Sequence, residues 1–221
     1  MLSIFDIIGP IMIGPSSSHT AGAVRIGEMA RTIFKGPIER VTIGLHGSYA
    51  ATGEGHGTRA ALVAGLLGMA ADDTRIPEAR EIAKQSGLDA QWREARLGPE
   101  AHPNSVTIEM AAKDRTMRIQ AASIGGGRAM INAIDGCPVE IAGDLPTIVL
   151  FHADEVGVLA GITGRLAAAN INIAHLRTYR REGSRRAVTE IATDERVPGE
   201  LTQDLEELPP VERVIYLAPM G

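Results

Sequence analysis

Apolar positions along this chain fall into two regimes that meet near residue 145. In the first, Ala23, Ile26, Met29, Ala30 and Ile33 recur at helical spacing, which predicts a helix starting near Ser17 or Ser18. Lys35-Gly-Pro37 ends it. Val41, Ile43 and Leu45 alternate with Thr42, Gly44 and His46 and predict a strand. A glycine-rich loop from Gly47 to Thr58 follows. Ala60, Leu62, Val63, Leu66 and Leu67 then predict a mostly buried helix from Thr58. Pro77 to Ser86 reads as a further helix, with Pro at its start, Glu78 in the first turn and Gly87 past its end. Trp92 to Gly98 is compatible with a strand. Val106, Ile108 and Met110 alternate before the polar connection Lys113-Asp-Arg115. Met117, Ile119 and Ala121 alternate after it, so the pair predicts a hairpin. Ser123-Ile-Gly-Gly-Gly127 reads equally as a bulge and as backbone that a ligand approaches. A short apolar opening, Leu2 to Ile13, is broken by Gly9-Pro10.

Gly, Pro and Asp concentrate between Asp135 and Pro146, which predicts a linker. Beyond it, Thr147 to His152 is an apolar run of strand length. Val156, Leu159, Ala160, Ile162, Thr163 and Leu166 fit an amphipathic helix ending at Asn170. Ile171 to Tyr179 alternates, Arg180 to Ser184 is a polar turn, and Arg186 to Ala192 is a strand. Leu201, Leu205 and Leu208 mark a short helix, and Val211 to Leu217 alternates again. The order is βαββαβ, the ferredoxin-like unit. The expectation is an α+β chain with an α/β domain at 1–144 and a ferredoxin-like domain at 145–221.

Composition narrows the function. At 221 residues, 44% hydrophobic and 22% charged, the chain has a globular balance and is long enough for one large domain or two small ones. A net charge of -5, with no Lys/Arg run, argues against a nucleic-acid partner. Cys137 is the single cysteine, which suits a reducing compartment and cannot by itself hold a metal or an iron–sulfur cluster. No basic segment precedes a long apolar run, and no apolar stretch reaches the ~18 residues of a membrane span. A cytoplasmic protein with no membrane partner is expected.

The candidate chemistry lies at two helix starts. Gly14-Pro-Ser-Ser-Ser-His-Thr20 sets hydroxyls and a histidine where unpaired N–H groups and the helix dipole favour an anion such as a carboxylate. His56 and Thr58 occupy a second start, behind a glycine-rich loop that is neither a Walker nor a Rossmann pattern. One serine there is more often a plain cap, and one histidine more often a core or surface residue. The combination points to a site.

Five segments carry a family resemblance: Ser3-Ile-Phe-Asp6; Gly14 to Thr20; Gly47-Ser48 with Thr52-Gly-Glu-Gly-His-Gly-Thr58; His102-Pro-Asn104; and Ser123 to Gly127. Together they resemble the β subunit of the iron–sulfur-dependent bacterial L-serine dehydratases. The first domain is also similar to the allosteric substrate-binding domain of some D-3-phosphoglycerate dehydrogenases, which lacks this histidine set. Residues 147–217 resemble an ACT domain, through His152-Ala-Asp-Glu-Val-Gly-Val-Leu159 and Asn170-Ile-Asn172.

The resemblance implies conversion of L-serine to pyruvate and ammonia, with a 4Fe–4S cluster held by cysteines of a partner α subunit and no metal ligands in this chain. It implies His56 as general base, with His19 and His102 orienting substrate or moving a proton. Ser16, Ser17, Ser18, Ser48 and Asn104 are the implied hydrogen-bond partners of the substrate. In the ACT domain it implies self-association and a small-ligand site near Asp154, Gly157 and Asn172. His46, His152 and His175 are expected to be structural. Arg59 departs from the pattern, because an acidic residue is expected after Gly-His-Gly-Thr. A non-catalytic amino-acid-sensing regulatory subunit, and an ACT-type binding module with an unrelated partner, are the alternatives.

Overall fold

The computed structural model describes residues 11–113, 115–180, 183 and 185–220. The apolar opening as far as Pro10, with its Ser3–Asp6 segment, lies outside the described residues, as do Asp114 of the hairpin connection and Arg181, Glu182 and Ser184 of the later turn. The chain divides into two compact units, 1–136 and 137–221.

In the first unit, β1 (Arg40–Leu45), β2 (Asp89–Glu94), β3 (Ser105–Ala112), β4 (Arg115–Gly125) and β5 (Arg128–Ile134) lie in the order β2-β1-β3-β4-β5. β1 and β2 are parallel and the other neighbours antiparallel. Val41, Ile43 and Leu45 are buried together with Val106, Ile108, Met110, Met117 and Ile119, as alternation requires of a sheet with one face on a core. Ile26, Met29 and Ile33 of α1 (Gly22–Phe34) and Leu62 of α3 (Thr58–Leu66) are also fully or almost fully buried. The two helices cross at Gly27 and Gly65. A Cβ on Gly65 would strike the Val24 carbonyl, and one on Gly27 would lie 2.8 Å from the Leu66 nitrogen.

The first helix starts at Ser17, as expected, but opens with a π-helical turn over Ser17–Ala21 before α1 begins at Gly22. Two local expectations are corrected. The stretch read as one long loop contains a short helix, α2 (Gly47–Thr52). The edge strand β2 overlaps the Trp92–Gly98 segment at Trp92–Glu94 but starts and ends earlier, because it is polar and mostly exposed and carries little hydrophobic signal. The Ser123–Gly127 segment closes the β4–β5 hairpin, with a register shift between Ser123 and Gly125 and left-handed φ at Gly125, Gly126 and Gly127. The helix α4 (Ala79–Gln85) follows a 3₁₀ turn at Ile76–Glu78.

The second unit opens with β6 (Cys137–Ile141), inside the segment read as linker. Then come β7 (Thr147–Ala153), α5 (Val158–Ala168), β8 (Ile173–Arg180), β9 (Arg186–Thr193), α6 (Gly199–Glu206) and β10 (Val211–Leu217). Strands β7 to β10 lie in the order β10-β7-β9-β8, all antiparallel. One core joins Ile148, Leu150, Ile191 and Val214 of the sheet to Val158, Ile162 and Leu166 of α5 and Leu201 and Leu205 of α6. Among the described residues no helix is long and apolar enough to cross a membrane.

Candidate active site

The Gly14–Thr20 and Gly47–Thr58 segments meet around His19. Ser16 caps the π-helical turn, its hydroxyl accepting the His19 N–H at 3.2 Å. Single π-type turns inside helices recur at functional sites, because they displace side chains from the regular helical positions. Here the turn carries His19 inward until it is only 8% exposed. Hydroxyls surround its ring: Thr52 Oγ1 at 3.1 Å and Ser48 Oγ at 3.3 Å from Nε2, Ser18 Oγ at 3.4 Å and Ser16 Oγ at 3.5 Å from Nδ1. Each hydroxyl can donate or accept, so the shell suits either tautomer of a neutral imidazole. Burial, and next the charge that His56 can carry, hold His19 below the ordinary histidine value of 6.5; a backbone hydrogen bond involving Ser48 acts the other way.

His56 lies beside it, the two rings 4.8 Å apart at 39°. The His56 ring is half-buried, and its Nδ1 lies 3.0 Å from the Thr52 carbonyl. A carbonyl only accepts, so the neutral ring donates from Nδ1 and presents an unprotonated Nε2. The Thr20 hydroxyl donates to the His56 carbonyl at 3.5 Å, tying the two segments together. Thr52 thus serves both histidines, by its hydroxyl to His19 and by its carbonyl to His56.

α2 presents Ser48 and Thr52 four residues apart on one face. Gly47 stands at φ 54°, and a Cβ there would lie 2.6 Å from the Pro103 carbonyl. That carbonyl accepts the Ser48 N–H at 2.8 Å. The His102-Pro-Asn104 segment therefore buttresses the start of α2. His102 itself is exposed; its Nδ1 accepts the Asn104 N–H at 3.1 Å, and among the described residues no hydrogen bond or ring contact joins it to His19 or His56. The Asn104 carbonyl accepts the Ser123 N–H at 3.0 Å. The Ser17 side chain is half-buried on the same turn.

Arg59, where an acid is expected, does not pair with His56. Its Nε faces Glu54 at 3.4 Å, and Arg80 reaches the same carboxylate at 3.7 Å. The orienting acceptor for His56 is a backbone carbonyl instead. Two residues of this cluster were missed in the sequence. Thr52 carries a signal, its i, i+4 spacing from Ser48. Tyr49 carries none, since a buried aromatic reads as core.

The other histidines have local partners. His46 Nδ1 lies 3.2 Å from the Ala95 carbonyl. His152 Nε2 meets the Thr189 hydroxyl at 2.8 Å. His175 faces the buried Glu190 at 3.2 Å. In the second unit a cavity of about 370 Å³ is lined by Asp154, Gly157, Thr178 and Arg180 among others, with Arg180 on Asp154 at 3.0 Å. Asn172 lies outside that lining; its amide donates to Asp194 at 2.5 Å. No group of three or more His, Cys, Asp or Glu able to hold a metal occurs among the described residues, and the single thiol of Cys137 is half-exposed in the second unit. The donor set of this chain does not fit a 4Fe–4S cluster.

Comparison with known proteins gives a family for each unit. The family "Serine dehydratase beta chain" matches residues 3–95, and the ACT domain family matches 147–210. The "Probable L-serine dehydratase, beta chain" of Bacillus subtilis is 38% identical over 216 residues, covering 98% of each chain. The "L-serine dehydratase, beta chain" of Peptoniphilus asaccharolyticus is 42% identical over 177 residues, 80% of each. "L-serine dehydratase 2" of Escherichia coli is 30% identical over 197 residues, 73% of this chain and 42% of that one. With near-complete coverage by the first of these and an ACT domain at its C-terminal end, this chain belongs to the serine dehydratase beta chain family.

Proposed function

We propose that this chain is the β subunit of a two-chain L-serine dehydratase and supplies the proton-handling and carboxylate-binding half of a shared site. The observation that carries the reading is the His19–His56 pair ringed by Ser16, Ser18, Ser48 and Thr52. The reaction is a β-elimination. A base takes the α-proton, the β-hydroxyl leaves, and the aminoacrylate becomes an imine that water cleaves to pyruvate and ammonia. His56 is the base, because its Nδ1–H is committed to the Thr52 carbonyl and its Nε2 lone pair is left available. The hydroxyls of Ser16, Ser17, Ser18 and Ser48 hold the substrate carboxylate and amine, and His19 orients that shell while staying neutral. His102 and Asn104 act at the rim of the same site. The 4Fe–4S cluster belongs to the partner α chain in this reading, so the work of this chain is confined to binding and proton transfer.

The ACT-type unit associates with a second copy through its edge strands β8 and β10 and takes a small ligand in the cavity bordered by Asp154 and Gly157. Its support is the open strand edges and the cavity itself.

Replacing His56 with Ala tests the base. It removes the proton acceptor from a half-buried loop position without adding charge or volume. In the assembled enzyme, kcat is expected to fall ~10²–10⁴-fold while serine binding changes far less. Near-normal kcat in His56→Ala removes His56 from the role and turns attention to His19 and His102. Near-normal kcat in all three replacements leaves this chain as an amino-acid-sensing regulator.

A further inference from the structure

We infer that Tyr49 is a positioning residue for the histidine pair, locking the Ser16–His19 turn at the geometry the site needs; the inference rests on the catalytic reading above. Tyr49 is fully buried on α2 and touches all three segments that build the site. Its hydroxyl donates to the Ser18 carbonyl at 2.7 Å. Its ring meets the His19 ring at 5.2 Å and 64°, the edge-to-face arrangement aromatic pairs favour. Its backbone N–H faces the His46 carbonyl at 3.1 Å and the Pro103 carbonyl at 3.5 Å.

The π-helical turn gives the hydroxyl its purpose. A π-type turn is less favourable than the α-helix it replaces and persists where tertiary contacts support it. Ser18 lies within that turn, and its side chain approaches His19 Nδ1 at 3.4 Å. Holding the Ser18 carbonyl therefore fixes the hydroxyl next to the histidine as well. Burial pushes the Tyr49 phenol above its ordinary value, so the hydroxyl is a donor at neutral pH. A residue needed only to fill the core could be phenylalanine, which has the same shape without the donor.

Tyr49→Phe in the full chain tests this. The variant keeps the ring and its volume, so the fold is retained. In the enzyme assembled with its α chain, kcat/KM for L-serine is expected to fall about 10-fold, mostly through KM, because one buried hydrogen bond that sets the carboxylate-binding turn is lost. In the full chain alone, the ring nitrogen resonances of His19 should move while those of His152 stay in place. An unchanged KM together with unchanged His19 resonances overturns the inference. Ser18→Ala and His56→Ala in the same assay separate the two claims. If those lose activity and Tyr49→Phe does not, the positioning role fails alone. If both keep full activity, His56 is not the base and Ser18 does not hold the substrate, and the His19 resonances still decide whether Tyr49 sets the turn.

Discussion

At the scale of single residues, environment separates histidines that look alike in sequence. His19 and His56 each follow serine- or glycine-rich runs, yet one is sealed among hydroxyls and the other stands half-open over a carbonyl. The sealed one makes a pH prediction. In the folded chain His19 is held below its unfolded value near 6.5. As pH falls, the unfolded chain takes up the proton first. The stability this site contributes is therefore complete above about 6.5 and is lost as pH drops through the lowered value. His19→Gln keeps hydrogen-bonding capacity and cannot titrate. Its urea midpoint should fall less than that of the wild type between about pH 7.5 and about pH 5.5. Equal losses in the two proteins would place the acid sensitivity elsewhere. Sequence reading could name His19 and His56 from their motifs. It could not rank their burial, because that depends on α2 folding over the π-helical turn.

At the scale of elements, strongly periodic segments were legible and short polar ones were not. α1, α3, β1, the β3–β4 hairpin and the whole βαββαβ order follow from apolar spacing. α2 and β6 were hidden and β2 was placed a few residues late, for separate reasons. α2 has six residues in a glycine-rich run and is anchored by the Pro103 carbonyl rather than by a local cap. β2 is an edge strand whose residues are mostly exposed. β6 sits among glycines and prolines and carries only Val139 and Ile141 into a buried environment. The glycines at the α1–α3 crossing make the prediction at this scale. An alanine normally stabilises a helix relative to glycine by about 0.5–1 kcal/mol. At Gly65 the added Cβ would meet the Val24 carbonyl and, at 2.8 Å, the Glu28 nitrogen, backbone atoms that cannot swing aside. The clash outweighs the propensity, so Gly65→Ala should cost about 1–3 kcal/mol by urea denaturation. A gain in stability would mean that the helices can separate without loss.

At the scale of the molecule, the deciding feature is which chemistry this chain can complete alone. It carries a histidine pair within a ring of hydroxyls, but one thiol in 221 residues. An all-cysteine 4Fe–4S site draws on several thiolates, and Cys137 offers one, with no cluster of histidine or carboxylate beside it among the described residues. The reading as a β subunit therefore divides the labour by chain. This chain purified alone should be colourless, free of bound iron and inactive on L-serine. Mixed anaerobically with its α chain, it should give a brown complex that releases pyruvate. Within that complex His56→Ala should leave the brown colour and the association intact, because in this reading the cluster's ligands belong to the partner chain and His56 serves only as a proton acceptor. Iron-dependent colour in the lone chain, or pyruvate formed without a partner, would refute the division. Loss of colour in His56→Ala would instead make this histidine part of the cluster's surroundings and end its assignment as a proton acceptor alone.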